Sequence, residues 1–150
     1  TSREERQLFK YDIMERLKPV LTEFASDGRD YVICGDWNIA HRQIDLRNWR
    51  ANQKNSGFLP DERQWMDWVF DEANWVDIFR TIEPGEDQYT WWSNRGQAWA
   101  KNVGWRMDYQ IGTPQIAAKA WRVEIFKDER FSDHAPLIID YKINARWLKS

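Results

Sequence analysis

The chain has 150 residues, 42% hydrophobic and 31% charged, which suits one soluble globular domain with a packed core. Its formal net charge of −2 argues against a generic polyanion binder, and its apolar runs fall short of the ~20 residues that span a bilayer. A single cysteine, Cys34, excludes an intrachain disulfide and a cysteine zinc cluster, so a reducing, cytoplasmic setting is expected. The first residues, "TSREERQLFK", are polar, show no signal-peptide pattern and lack an initiator Met, so a piece of a longer chain is expected. Eleven tryptophans stand out; most are expected in the core and some as stacking surfaces.

Leu8, Phe9, Ile13, Met14, Leu17, Val20, Leu21 and Phe24 recur at a helical period and predict an amphipathic helix over about residues 2–25. Pro19 is expected to bend or interrupt it, and Gly28 in "SDGRD" to stop it. Residues 31–34, "YVIC", read as a strand. Residues 41–59 have no clean period and many Asn and Arg side chains, which predicts a long ordered loop. "PDERQWMDWVFDEANW" predicts a helix with Pro60 in its first turn and Trp65, Trp68, Val69 and Phe70 on its buried face. "VDIFRTI" reads as a helical turn, and "DQYTWWS" and "GWRMDYQIG" as strands. Residues 114–118 read as a helical turn, and residues 121–126 and "APLIIDYKI" as the last strands. Interspersed helices and strands make the class α/β or α+β.

Polar groups stand where strand alternation does not demand them. Asp36 and Asn38 follow the first strand, Asp108 lies inside "GWRMDYQIG", and Asp133 and His134 open the last strand in "RFSDHAPLII". Each alone has an ordinary explanation: turn chemistry for Asp and Asn, a core ion pair with Arg106 or Arg130 for Asp108, a turn cap for Asp-His. Together they fit the way sites gather at strand ends. Carboxylates, an amide and an imidazole suit metal-assisted hydrolysis of a phosphodiester, and oxygen ligands suit Mg²⁺. A carboxylate with a pKa of ~3.9 becomes a useful base only when that value is raised or its water is acidified. His134 beside an acid can stay protonated and donate to a phosphate oxygen.

The segments "GDWNIAH", "IDLRNW", "KNSGFLPDERQW", "YTWWSNR", "KNVGWRMDYQ" and "RFSDHAPL" occur in that order. From about Glu4 to Tyr141 the chain resembles the exodeoxyribonuclease III group of abasic-site endonucleases, in the endonuclease/exonuclease/phosphatase superfamily. The resemblance implies a four-layer α/β sandwich, with two sheets facing each other and helices outside. It implies that residues 1–150 are the carboxyl-terminal part of a single such domain. The family's first sheet strands, a metal-binding Glu, a companion Asn and a phosphate-contacting Tyr would then lie upstream of Thr1.

By the same resemblance, Asp36 aligns or deprotonates the attacking water, and Asn38 holds that water and a phosphate oxygen. Asp108 orients His134, His134 stabilises charge on the phosphoryl centre, and Asp133 helps hold the metal through water. Mg²⁺, with Mn²⁺ as a substitute, is implied at Asp36, Asn38, Asp133 and His134. Trp91, Trp105 and Met107 match an apolar pocket for a flipped abasic sugar; core packing explains Trp91 and Trp105 equally well. Arg47, Asn48, Asn52, Lys54 and Asn55 resemble DNA-backbone contacts, against the plain reading of a solvated loop. Amides contact phosphates without net positive charge.

The implied function is Mg²⁺-dependent cleavage 5′ to abasic sites, with 3′-to-5′ exonuclease activity on double-stranded DNA, in base excision repair. A monomer with no membrane association is expected. The alternatives are a non-catalytic nucleic-acid-binding regulator of the same fold and a phosphoesterase with another substrate. The intact set Asp36, Asn38, Asp108, Asp133 and His134 favours an enzyme. Trp91, Trp105 and Met107 weigh against another phosphoester.

Overall fold

A computed structural model describes residues 3–143. In chain order its elements are α1 (Arg3–Ser26), β1 (Val32–Asp36), α2 (Trp49–Asn52), α3 (Pro60–Asp67), β2 (Val76–Asp77) and α4 (Ile78–Ile82). Then follow β3 (Trp91–Trp92), β4 (Gly104–Trp105), β5 (Asp108–Gly112), α5 (Pro114–Ala117), β6 (Ala120–Ile125) and β7 (Leu137–Tyr141). A 3₁₀ turn covers Gln43–Asp45, and α3 runs on into a π-helical turn at Trp68–Glu72.

Helix α1 follows the apolar stripe and continues through Pro19 without interruption. Proline deprives the Glu15 carbonyl of its donor, but Glu15 and Pro19 both face solvent, so water can take the donor's place. Met14 and Leu21 of α1 pack with Trp65, Val69, Trp75, Tyr109 and Ile111 in the main core. The indole N–H groups of Trp65 and Trp75 donate to the Met14 and Leu21 carbonyls at 3.0 and 3.1 Å, which pins α1 to the layer beneath. Among the described residues Trp65, Trp75 and Trp92 are buried, Trp121 is exposed and the other tryptophans are half-buried. Fewer rings lie wholly in the core than expected, because an indole is large enough to keep an edge in water.

The described strands form three antiparallel sheets, ordered β1–β5–β2, β3–β4 and β6–β7. Strand β1 runs two residues beyond the expected residues 31–34, because Gly35 and Asp36 find ladder partners in Tyr109 and Asp108. "GWRMDYQIG" is two strands rather than one. Between them Arg106 turns into a buried ion-pair network, and the Met107 N–H donates to Thr90 Oγ1 at 3.0 Å. On one face of the first sheet, Ile33, Tyr109 and Ile111 meet α1 and α3. On the other, Gln110 Nε2 donates to the Leu137 carbonyl at 3.1 Å and Tyr141 donates to Gln110 Oε1 at 2.9 Å, so the β6–β7 sheet lies over this side. Helices outside and sheet against sheet give the mixed α/β layering that the resemblance implies.

Candidate active site

The β1–β5 register sets Asp36 opposite Asp108. Both carboxylates therefore leave the sheet on the face away from α1. Asp108 Oδ2 lies 2.9 Å from His134 Nδ1, and His134 Nε2 lies 3.9 Å from Asp36 Oδ2. Asp36 Oδ1 accepts the main-chain N–H of Asn38 at 2.8 Å. That N–H is aimed by a left-handed backbone at Asn38 (φ 54°), which asparagine tolerates better than most residues. Beside His134 a cleft of about 360 Å³ opens between Cys34, Asp108 and Gln110 and the segment before β7.

The histidine is fixed from several directions. Ser132 Oγ accepts the His134 N–H at 2.9 Å and donates to the His134 carbonyl at 3.1 Å. The Ala135 N–H donates to the Thr90 carbonyl at 2.8 Å, and the Trp92 N–H donates to the Asp133 carbonyl at 3.0 Å, which stitches this segment to β3. The buried Thr90 hydroxyl accepts the N–H groups of Met107 and Asp108 at 3.0 and 3.1 Å. It thus sets the backbone on which Asp108 stands. Sequence reading passed over Thr90 and Ser132, because a threonine in a strand and a serine in a turn are ordinary there. The pairings considered for Asp108 go elsewhere: Arg106 binds Asp45 and Asp77, and Arg130 binds Asn94.

Electrostatics separate the two ends of this chain of contacts. Burial opposes protonation of His134, but the hydrogen bond and charge of Asp108, with the charges of Asp36 and Asp133, outweigh it and raise its pKa above the ordinary imidazole value. Burial also raises the Asp36 pKa, helped by repulsion from Asp108 and opposed by the Asn38 N–H, His134 and Lys10. A carboxylate made more basic stands beside an imidazolium made more durable.

Trp91 and Trp105 face each other across β3–β4, with ring centroids 6.4 Å apart and planes at 81°. The Trp91 indole N–H donates to Asp133 Oδ2 at 3.0 Å, so Trp91 both contributes to an aromatic wall and holds an acid of the site. Met107 is buried beyond the end of β4. Of the loop residues, Asn48, Lys54 and Asn55 are exposed and Asn52 is half-buried. Asn52 donates to the Asn48 carbonyl and accepts from Asn55, each at 2.8 Å, which orders this stretch around α2. Arg47 is engaged with Asp87 at 2.7 Å. Beneath the loop, Ala40, Leu46 and Phe58 pack against Trp49 and Trp105 and tie it to the aromatic wall.

Asp36, Asn38 and Asp133 carry the hard oxygen donors that Mg²⁺ takes. Among the described residues, no three His, Cys, Asp or Glu side chains converge as a metal cage. His134 commits Nδ1 to Asp108, and Asp133 commits Oδ2 to Trp91.

The chain is 41% identical over 107 residues to the exodeoxyribonuclease of Bacillus subtilis, covering 71% of this chain and 42% of that one. It is 38% identical over 109 residues to the DNA repair nuclease APEX1 of Danio rerio, covering 72% of this chain and 35% of that one. Among solved structures, a 3′ phosphatase from Neisseria, NExo, bound to a product DNA hairpin, aligns with a TM-score of 0.78 at 26% identity, over 93% of this chain and 54% of that one. The chain thus spans less than half the length of these two curated relatives. A family profile covers residues 9–134, the stretch with Asp36, Asn38, Asp108 and His134, and the chain belongs to the Endonuclease/Exonuclease/phosphatase family.

Proposed function

We propose that the protein containing this chain is a DNA repair phosphodiesterase, cleaving 5′ to abasic sites and removing nucleotides from 3′ ends. The observation that carries this reading is the run Asp36, His134, Asp108, with His134 3.9 and 2.9 Å from the two acids, beside the Trp91–Trp105 wall. In the reaction, a water oxygen bonds to phosphorus and the bond from phosphorus to the 3′ oxygen breaks, that oxygen leaving with the electron pair and taking a proton from solvent to become the 3′ hydroxyl. Asp36 takes the water's proton, and Asn38 orients the water and a phosphate oxygen. His134, held protonated by Asp108, donates to a non-bridging oxygen as charge gathers there. Trp91, Trp105 and Met107 receive a sugar that lacks a base, and a nucleotide that carries one fits less well, so trimming of 3′ ends is the slower reaction. The exposed amides and Lys54 of the loop hold the backbone and set register.

When bound, Mg²⁺ would neutralise phosphate charge and acidify the water. Asp36, Asn38 and Asp133 would be its oxygen donors, completed by a donor outside the described residues. Full-length protein should be assayed with Mg²⁺ and with EDTA on four duplexes: abasic, recessed at the 3′ end, 3′-phosphorylated and intact. Mg²⁺-dependent incision of the abasic duplex, with slower trimming of the recessed end, is expected. Hydrolysis confined to the 3′ phosphate would replace this reading with a phosphatase like the Neisseria neighbour. Binding without cleavage would point to the non-catalytic regulator.

A further inference from the structure

Lys10 of α1 stands outside the cluster of acids and reaches its neighbour Asn38. Its ammonium donates to the main-chain carbonyl of Asn38 at 2.7 Å and to Glu62 Oε1 at 2.6 Å. The Lys10 side chain is 19% exposed and that of Glu62 is 0% exposed. Glu62 Oε1 also accepts from Gln7 at 3.0 Å, while Oε2 takes the N–H groups of Gly57 and Leu59 at 2.7 and 3.1 Å. The carboxylate is thus fully engaged and its orientation is fixed, so it fixes the ammonium in turn.

Asn38 is held in a left-handed conformation (φ 54°), which asparagine adopts more readily than most residues and which its hydrogen-bond partners here select. Asp36 secures its N–H and Lys10 its carbonyl, one on each side of the α-carbon. Gly57 closes the same corner. Its carbonyl accepts the Ala40 N–H at 2.8 Å, and a β-carbon there would stand 3.1 Å from the Trp105 ring and 3.3 Å from the Asn38 carbonyl.

We propose that Lys10 is a positioning residue for Asn38: its ammonium, aimed by Glu62, locks the peptide after Asn38 and so fixes the Asn38 side chain beside Asp36. The inference rests on the hydrolase reading for its kinetic consequence. Without Lys10 the Asn38 carbonyl loses its donor while the Tyr109 hydroxyl still holds the Ile39 carbonyl at 2.8 Å, so the peptide between them loosens and the Asn38 amide is less well placed on the water it orients. Duplex binding depends on the loop over residues 47–55 and stays. The loss therefore falls on kcat.

The test uses the full-length protein. Lys10→Met alone strands a buried carboxylate and endangers folding, so the double variant Lys10→Met with Glu62→Gln is made beside Lys10→Arg. The double variant should fold and lose about 10- to 100-fold in kcat on an abasic duplex, the scale set by a misplaced catalytic group, with KM little changed. Lys10→Arg, which can still donate to both partners, should stay close to wild type. The amide resonances of Asn38 and Ile39 should shift in the double variant and not in Lys10→Arg. Wild-type kcat in a folded double variant overturns the assignment, as does a loss confined to KM or an unmoved pair of resonances. The resonances report the hold on Asn38 even where the wild type cleaves none of the duplexes, so failure of the hydrolase reading stays distinct.

Discussion

Asp36 and Asp108 lie 72 positions apart in sequence, and what joins them is strand register. A one-residue slip would send one of the two carboxylates to the helix-covered face. The residue types were legible in the sequence: acids and an amide at strand ends, with one imidazole. Register was not, nor was the support from Thr90, whose hydroxyl serves two N–H groups from 17 and 18 residues away. Burial raises the basicity of Asp36, so removing its charge should strike the chemical step. In the full-length protein, Asp36→Asn should lower turnover on abasic DNA by ~10²–10⁴-fold, the span of general-base contributions. Affinity should change little, because in the proposed mechanism the carboxylate faces the attacking water and the metal and makes no contact with DNA. Single-turnover rates and binding isotherms on the same duplex separate the two effects; wild-type turnover in the variant removes Asp36 from its role.

The segment over residues 41–59 shows why elements were harder to read than sites. Its apolar anchors, Leu46 and Phe58, follow no period because they fill a small core under a turn, and so its 3₁₀ turn and α2 gave no signal. The break between β4 and β5 has a comparable cause. Arg106, 1% exposed, leaves the ladder to bind Asp45 and Asp77, and Asp45 also binds Arg80. Burial opposes charge on Asp45, but Arg106 and Arg80 more than compensate and hold its pKa at about 2 against an ordinary 3.8. A pKa lowered on folding adds stability above the unfolded value and loses it as pH falls through the folded one. The shift corresponds to about 2 kcal/mol, present above about pH 4 and gone near pH 2. Asp45→Asn should destabilise the full-length protein by about 3–5 kcal/mol at neutral pH, because Arg106 keeps its charge in a buried place with one acid fewer. Urea titrations should show the gap to wild type narrowing between pH 4 and pH 2. A gap that stays constant would mean that the Asp45 charge does not carry the network.

On the scale of the whole molecule, much of the exposed apolar surface among the described residues lies on α1, with Trp121, Phe131 and Ile143 exposed elsewhere. Leu8, Phe9, Ile13 and Val20 of α1 are 63%, 66%, 41% and 39% exposed, Val32 of β1 is 36% exposed, and Ile138 of β7 is 38% exposed. Among the described residues β1 is also an outer strand of its sheet, with one edge unpaired. The apolar face of α1 and the unpaired edge of β1 are surfaces that a stable domain ordinarily covers. Covering several hundred Å² at ~25 cal/mol per Å² contributes on the order of 10 kcal/mol. A whole domain's margin is about 5–15 kcal/mol. The 150-residue chain expressed alone should therefore unfold over a broad range, bind a hydrophobic dye and fail to incise abasic DNA with Mg²⁺. Calorimetry and the duplex assay test the two halves separately. A sharp transition with Mg²⁺-dependent incision overturns both; a sharp transition without incision overturns the stability argument and leaves the need for a further metal donor standing.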